Sequence, residues 1–176
     1  MLLGVEIKTF QKIVWDYYKK NRRAMPWRDR VTPYRVFVSE VMLQQTQVAR
    51  VMEKFPQFIQ HFPNFKALHA APLAEVLAVW QGMGYNRRAL YLKKSAEIIV
   101  RDYRGCLPRS PEDLEVLAGI GPATARSIAA FAWNSPEVFI ETNIRSVFLY
   151  HFFAGRARVP DSELTPFVEQ ALDRKN

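Results

Sequence analysis

Cysteine is almost missing from this chain. Cys106 is the one cysteine among 176 residues. An internal disulfide or a cysteine-built metal site is therefore excluded, and a reducing, cytoplasmic setting fits. Histidine is nearly as scarce. His61, His69 and His151 are scattered, with no i,i+4 pair and no second ligand close in sequence, so no metal is expected. No apolar run approaches the roughly 18 residues of a membrane helix. Residues 1–10 lack a basic segment followed by a long apolar stretch, so a secretion signal is not expected. Glycine is sparse, and four of the seven glycines fall in two Gly-x-Gly pairs, Gly82/Gly84 and Gly119/Gly121. Nowhere does the pattern alternate long enough to build a sheet, so an all-α fold is predicted.

What is present is apolar and basic. Hydrophobic residues make up 49% and aromatics 13%, enough to fill a core and to exclude whole-chain disorder. The size suits one domain, or two small lobes sharing a cleft. The formal net charge of +8 points to a polyanionic partner, because phosphates neutralised by Lys and Arg release their counterions. The arginines and lysines gather at Arg22, Arg23, Arg28, Arg30 and Arg35, again at Arg87, Arg88, Lys93 and Lys94, and again at Arg101, Arg104 and Arg109. Some of each group suit phosphate contact, and ordinary solvation accounts for the others.

Helical spacing of Ile7, Phe10, Ile13, Val14, Tyr17 and Tyr18 predicts a first helix over about 5–21. Thr32 as N-cap and Pro33 at the first turn start a second, predicted to run to about Lys54. Short helices are expected near 56–61, 64–70 and 72–80. Gln81 to Tyr85 breaks the pattern, and a long helix follows over about 86–103. Ser110-Pro111-Glu112-Asp113 reads as an N-cap, a proline start and an acidic first turn. Further helices are predicted over about 122–133, 143–153 and 161–173. Trp15, Trp80 and Trp133 are expected in the core, and Trp27, between Pro26 and Arg28, at a functional site.

Two segments carry chemistry. Leu117-Ala118-Gly119-Ile120-Gly121-Pro122-Ala123-Thr124-Ala125 joins two helices through a glycine turn. Such a turn brings backbone close to another surface. The helix after it offers unpaired N–H groups and a positive dipole end to one phosphate. The second segment surrounds Glu40, whose neighbours three and four residues away are Val36, Phe37, Leu43 and Gln44. A carboxyl among apolar neighbours loses hydration, keeps its proton longer and can serve as a general acid. The uncharged polar run Gln44-Gln45-Thr46-Gln47 beside it suits a wet, base-contacting surface.

The turn at 117–125 resembles the helix-hairpin-helix motif of DNA repair proteins. Met25 to Arg28, Pro33 to Val36, Ser39 to Val48, Trp80 to Ala89 and Phe139 to Val147 are similar, in order, to the blocks of MutY-type adenine DNA glycosylases of the HhH-GPD, endonuclease III-like superfamily. That resemblance implies one glycosylase domain over 1–176, with a six-helix-barrel lobe over about 28–135 and a second lobe from 1–27 and 136–176, expected to be incomplete at its C-terminal end. It implies a monomeric, nucleoid-associated enzyme that flips adenine out of double-stranded DNA, opposite 8-oxoguanine or guanine. Glu40 would protonate the adenine and help orient the attacking water, and Glu141 would stabilise the sugar cation. Gln45 would wedge into the base stack, with Gln44, Thr46 and Tyr85 lining the DNA-facing cleft. Trp27 and Arg28 would close the adenine pocket. Gly119, Gly121, Ala123, Thr124, Asn143 and Arg145 complete the DNA-binding set.

The chain departs from the family pattern at four places. Glu141 stands where the family has Asp, one methylene shorter and a better N-cap, so Thr142 or Asn143 is expected to take the capping role. Ala123 stands where bifunctional relatives carry a lysine nucleophile and many adenine glycosylases a hydroxyl, so strand cleavage through a Schiff base is not expected. The four cysteines of the relatives' iron–sulfur cluster are missing, so no cofactor is expected. A counterpart of the domain that recognises 8-oxoguanine in the family is not expected within residues 1–176. Two other readings stay open: a thymine or uracil mismatch glycosylase on the same fold, and a non-catalytic DNA-binding helix-hairpin-helix module.

Overall fold

The computed structural model describes residues 4–174. Among the described residues there are eleven helices and no strand. They are α1 (Gly4–Asn21), α2 (Pro26–Asp29), α3 (Pro33–Leu43), α4 (Val48–His61), α5 (Phe65–Ala70), α6 (Leu73–Trp80), α7 (Arg87–Asp102), α8 (Pro111–Glu115), α9 (Pro122–Trp133), α10 (Thr142–Phe152) and α11 (Asp161–Ala171). The all-α expectation therefore holds. Local chemistry starts several of these helices. The Thr32 hydroxyl accepts from Arg35 N at 3.3 Å, Asn64 Oδ1 from Ala67 N at 2.9 Å, and Ser110 Oγ from Asp113 N at 3.1 Å.

The chain divides into two compact units. One is continuous, Ala24–Ser135, and holds α2 to α9. The other combines the segment up to Arg23 with the segment from Pro136 onward, and holds α1, α10 and α11. In the continuous unit α3 packs on α4, α7 and α9, and α5 packs on α7. Phe37, Phe55, Leu68, Trp80, Leu92, Leu114 and Ile128 are sealed at its centre. In the second unit α11 packs on α1 and α10 around Phe10, Phe148, Phe153, Val159, Leu164 and Val168.

Three expectations are corrected. The second predicted helix is two: α3 ends at Leu43, Gln45 takes a left-handed backbone (φ 51°), and α4 begins at Val48. No glycine or proline marks this break in sequence. It exists because a buried arginine on α7 takes up the carbonyls that the end of α3 leaves open. Pro56 does not start a helix but lies inside α4. It forfeits one backbone bond, and the burial of Phe55 and Phe58 on either side outweighs that loss. The apolar stripe of α1 is also less buried than its spacing suggests. Phe10 is in the core, but Ile13, Val14, Tyr17 and Tyr18 are exposed, and so is Trp15 at 39%. Trp15 lies about 140° around the helix from Phe10, so one core cannot cover both. Trp80 is fully buried as expected, and Trp133 half so.

Candidate active site

Glu40 sits on α3 where α3 packs against α9. Val36 and Phe37, one turn earlier, are buried, and Glu40 itself is half-buried. Its carboxyl is fixed from α9: Ser127 Oγ donates to Glu40 Oε2 at 2.7 Å. Ser127 is completely buried and its Oγ also lies 3.0 Å from the Thr124 carbonyl. The carboxyl is thus neither free in solvent nor sealed in the core, and it is held by a group that can give or take a hydrogen bond.

Next to it three loops are tied together. The pivot is Arg88, a buried side chain on α7. Its guanidinium donates to the carbonyls of Val41 (3.2 Å), Met42 (2.8 Å) and Gln44, at the end of α3. It also donates to Thr46 Oγ1 (2.8 Å) and to the carbonyls of Met83 (3.2 Å) and Gly84 (3.3 Å). The same guanidinium lies near the rings of Trp80 and Tyr85. Gln44 Nε2 reaches the third loop, donating to the Gly119 carbonyl at 3.2 Å. Two residues with left-handed backbone follow clamped carbonyls directly: Gln45 after Gln44, and Tyr85 (φ 47°) after Gly84. Both are exposed, Tyr85 at 65%. A non-glycine residue in that conformation costs about 1 kcal/mol or more. One buried cation therefore sustains two strained, outward-facing residues.

The third loop is the hairpin between α8 and α9. Leu117 and Ile120 are buried and anchor it. Gly119 is required twice over: its φ is +77°, and a Cβ there would fall 2.4 Å from the Tyr91 ring. Gly121 differs. Its backbone is extended (φ −95°, ψ 174°) and a Cβ would meet nothing within 4 Å. The two-glycine turn read from sequence thus needs its first glycine for shape, while the second leaves open backbone at the start of α9. No side chain caps α9 there. Helix geometry leaves the Ala123 and Thr124 N–H groups without acceptors in that first turn, aimed outward with the dipole.

Other predicted residues fall unevenly. Trp27 is buried in the core, edge-on to Phe55 at 5.6 Å, so of the pair only Arg28 is exposed. Arg88, grouped by sequence with possible phosphate contacts, is consumed by internal carbonyls. Lys93 likewise donates to the His69 carbonyl. Arg145 pairs with Asp161 and the Val159 carbonyl within its own unit, so it is not a free phosphate ligand. Asn143 is exposed on the first turn of α10. Glu141 is itself the N-cap residue of α10, yet its side chain makes no capping bond. Desolvation holds its carboxyl above the ordinary glutamate range although the residue as a whole stays exposed. Sequence reasoning missed Ser127. A hydroxyl between Ala125 and Ile128 on an otherwise apolar helix face was the available sign of it. The single cysteine, Cys106, is exposed, and no group of three His, Cys, Asp or Glu gathers among the described residues. No helix among those residues is long and apolar enough to cross a membrane.

Comparison with known proteins shows the family. The family model described as "HhH-GPD superfamily base excision DNA repair protein" matches residues 38–167. Among curated proteins, the chain is 36% identical over 143 residues to an adenine DNA glycosylase of Buchnera aphidicola subsp. Baizongia pistaciae, covering 81% of this chain and 41% of that protein. It is 39% identical over 132 residues to the adenine DNA glycosylase of Mycobacterium tuberculosis (strain H37Rv), covering 74% and 43%. For the Homo sapiens adenine DNA glycosylase the identity is 35% over 151 residues, covering 81% and 28%. The chain thus spans less than half the length of these relatives. Among solved structures, a thermostable thymine-DNA glycosylase superposes with TM-score 0.85 at 22% identity, over 96% of this chain and 79% of that one. An endonuclease III in a non-covalent DNA complex gives 0.78 at 20%, over 98% and 79%.

Proposed function

Since the chain belongs to the HhH-GPD superfamily of base excision DNA repair proteins, we propose that it is a monofunctional DNA glycosylase that hydrolyses the N-glycosidic bond of adenine opposite 8-oxoguanine or guanine, acting as a monomer on double-stranded DNA. One observation carries this reading. The helix that opens at the hairpin's phosphate-binding turn, α9, is the same helix that fixes the half-buried Glu40 carboxyl. A phosphate held at the Gly121 end and a base presented to Glu40 are thereby referenced to one rigid element.

The chemistry follows from the groups available. Glu40 gives its proton to the extruded adenine, which then departs as a neutral base. The sugar left behind is cationic, and a carboxylate stabilises it; Glu141 is the residue for that role. Gln45 and Tyr85, held out from the surface on strained backbone, occupy the gap in the duplex and keep the base extruded. Ala123 has no amine, so no Schiff base forms and the product is an intact strand with an abasic site.

Duplexes carrying A·8-oxoG, A·G, T·G and U·G, incubated with the protein and then treated with alkali, test the reading. Breaks at A that require alkali are expected. Breaks only at T or U would replace the substrate, and binding without breaks would replace the reaction. Glu40→Gln is expected to slow adenine release by about 10²–10⁴-fold with DNA affinity retained.

A further inference from the structure

The contact between Ser127 and Glu40 poses a proton-counting problem. A serine hydroxyl has one hydrogen to donate and lone pairs to accept with. Two acceptors lie within reach of that hydrogen, Glu40 Oε2 at 2.7 Å and the Thr124 carbonyl at 3.0 Å. It can serve only one of them well at a time. The Thr124 carbonyl, three residues back on the same helix, is an ordinary resting place for a helical serine. The 2.7 Å oxygen–oxygen distance suits a bond in which either oxygen carries the hydrogen.

We propose that Ser127 is the positioning residue of Glu40, keeping its carboxyl in one place through both protonation states. When Glu40 is ionised, the serine hydrogen points at Oε2. When Glu40 is protonated, the proton bound for the base rides on its other oxygen, and Oε2, now the carbonyl oxygen of the neutral acid, still accepts from the serine. Neither state strands a polar group, and neither requires the carboxyl to move. A residue that first donates a proton and then faces water needs this property, since a displacement of an ångström costs catalysis heavily. Ser127 is fully buried, so bulk water does not take over its task. Ala123, one turn earlier on α9, has no hydroxyl to offer.

This inference rests on Glu40 as the acid, and the test separates the two. Single-turnover adenine release from an A·8-oxoG duplex is measured for wild type, Ser127→Ala and Glu40→Gln, with DNA affinity and melting temperature of each. Ser127→Ala is expected to slow release about tenfold, the loss of one hydrogen bond to a charged group, with affinity and melting temperature unchanged. Alanine suits a buried helical position. Should that variant nevertheless fail to fold, Ser127→Cys, close in volume and a weaker donor, is expected to lose rate several-fold in the same way. A wild-type rate in Ser127→Ala beside an inactive Glu40→Gln overturns the role of Ser127 alone. A loss of rate matched by falls in affinity or melting temperature makes Ser127 a packing residue and overturns it too. Full release by Glu40→Gln overturns both readings.

Discussion

The two units of this chain are both built from helices, yet they handle their polar groups in opposite ways. In Ala24–Ser135 the functional loops are fastened from inside, through Arg88 and Ser127, both nearly or wholly buried. In the unit holding α1, α10 and α11 the corresponding arginine, Arg145, sits near the surface, and Glu141 makes no capping bond. The apolar side chains follow suit. The first unit seals Phe37, Phe55, Phe58, Phe62 and Trp80 while leaving Tyr85 and Phe131 exposed, whereas the second leaves Tyr17, Tyr150 and most of the α1 stripe exposed. Geometry can be held to catalytic tolerance only where the holding groups are shielded from water, because competing solvent weakens every polar contact. Glu40, the acid of the proposed reaction, lies in the first unit and is held in this way, whereas the Glu141 carboxyl in the second has no capping bond to hold it.

Removing each unit's arginine sharpens this contrast, and gives the largest effect. Arg88→Ala strands carbonyls of Met42, Gln44 and Met83 in a buried site. The expected cost is about 3 kcal/mol, since each unsatisfied buried acceptor costs about 1–3 kcal/mol. Arg145→Ala breaks a partly exposed ion pair and is expected to cost about 1 kcal/mol or less. Denaturant titration measures both, and equal losses would break the comparison. The two glycines of the hairpin extend it to a smaller scale. Gly119→Ala meets both a positive φ and the Tyr91 ring, and is expected to cost about 2 kcal/mol. Gly121→Ala meets neither. It is expected to leave the melting temperature nearly unchanged while weakening DNA binding, because its methyl covers the open start of α9.

Much of this was legible beforehand, for identifiable reasons. Helix starts were read from Thr32-Pro33 and Ser110-Pro111, whose caps act within four residues. The helical face that half-buries Glu40 was read from its i−3 and i−4 neighbours. What escaped were long-range effects. The end of α3 is decided by Arg88, more than forty residues away, and no local pattern marks Leu43 as a terminus. Ser127 is joined to Glu40 across a sequence separation of 87. The depth of Trp27 is likewise set by Phe55, on another helix. Composition announces a basic surface, but it cannot distinguish an arginine spent on carbonyls from one left for phosphate.

Glu141 gives the smallest effect and the finest test of the contrast. Its carboxyl titrates above the ordinary glutamate value because burial disfavours the charge. The folded protein therefore binds more protons than the unfolded chain in the window that starts near 4.5 and ends at the raised value. Stability from this group is complete below that window and declines as pH rises through it. Glu141→Gln, which never ionises, removes the decline. The variant is expected to gain melting temperature on wild type as pH climbs through the window, by a small amount for an exposed residue, and then to keep a constant lead. Under the proposed function adenine release is expected to fall in the same protein, since Glu141 is the carboxylate assigned there to the sugar cation. A pH-independent gap would mean that the Glu141 carboxyl is as well hydrated folded as unfolded. Higher stability with lower activity would identify Glu141 as a charge kept at a cost to the fold, the opposite of a carboxyl secured by a buried hydroxyl.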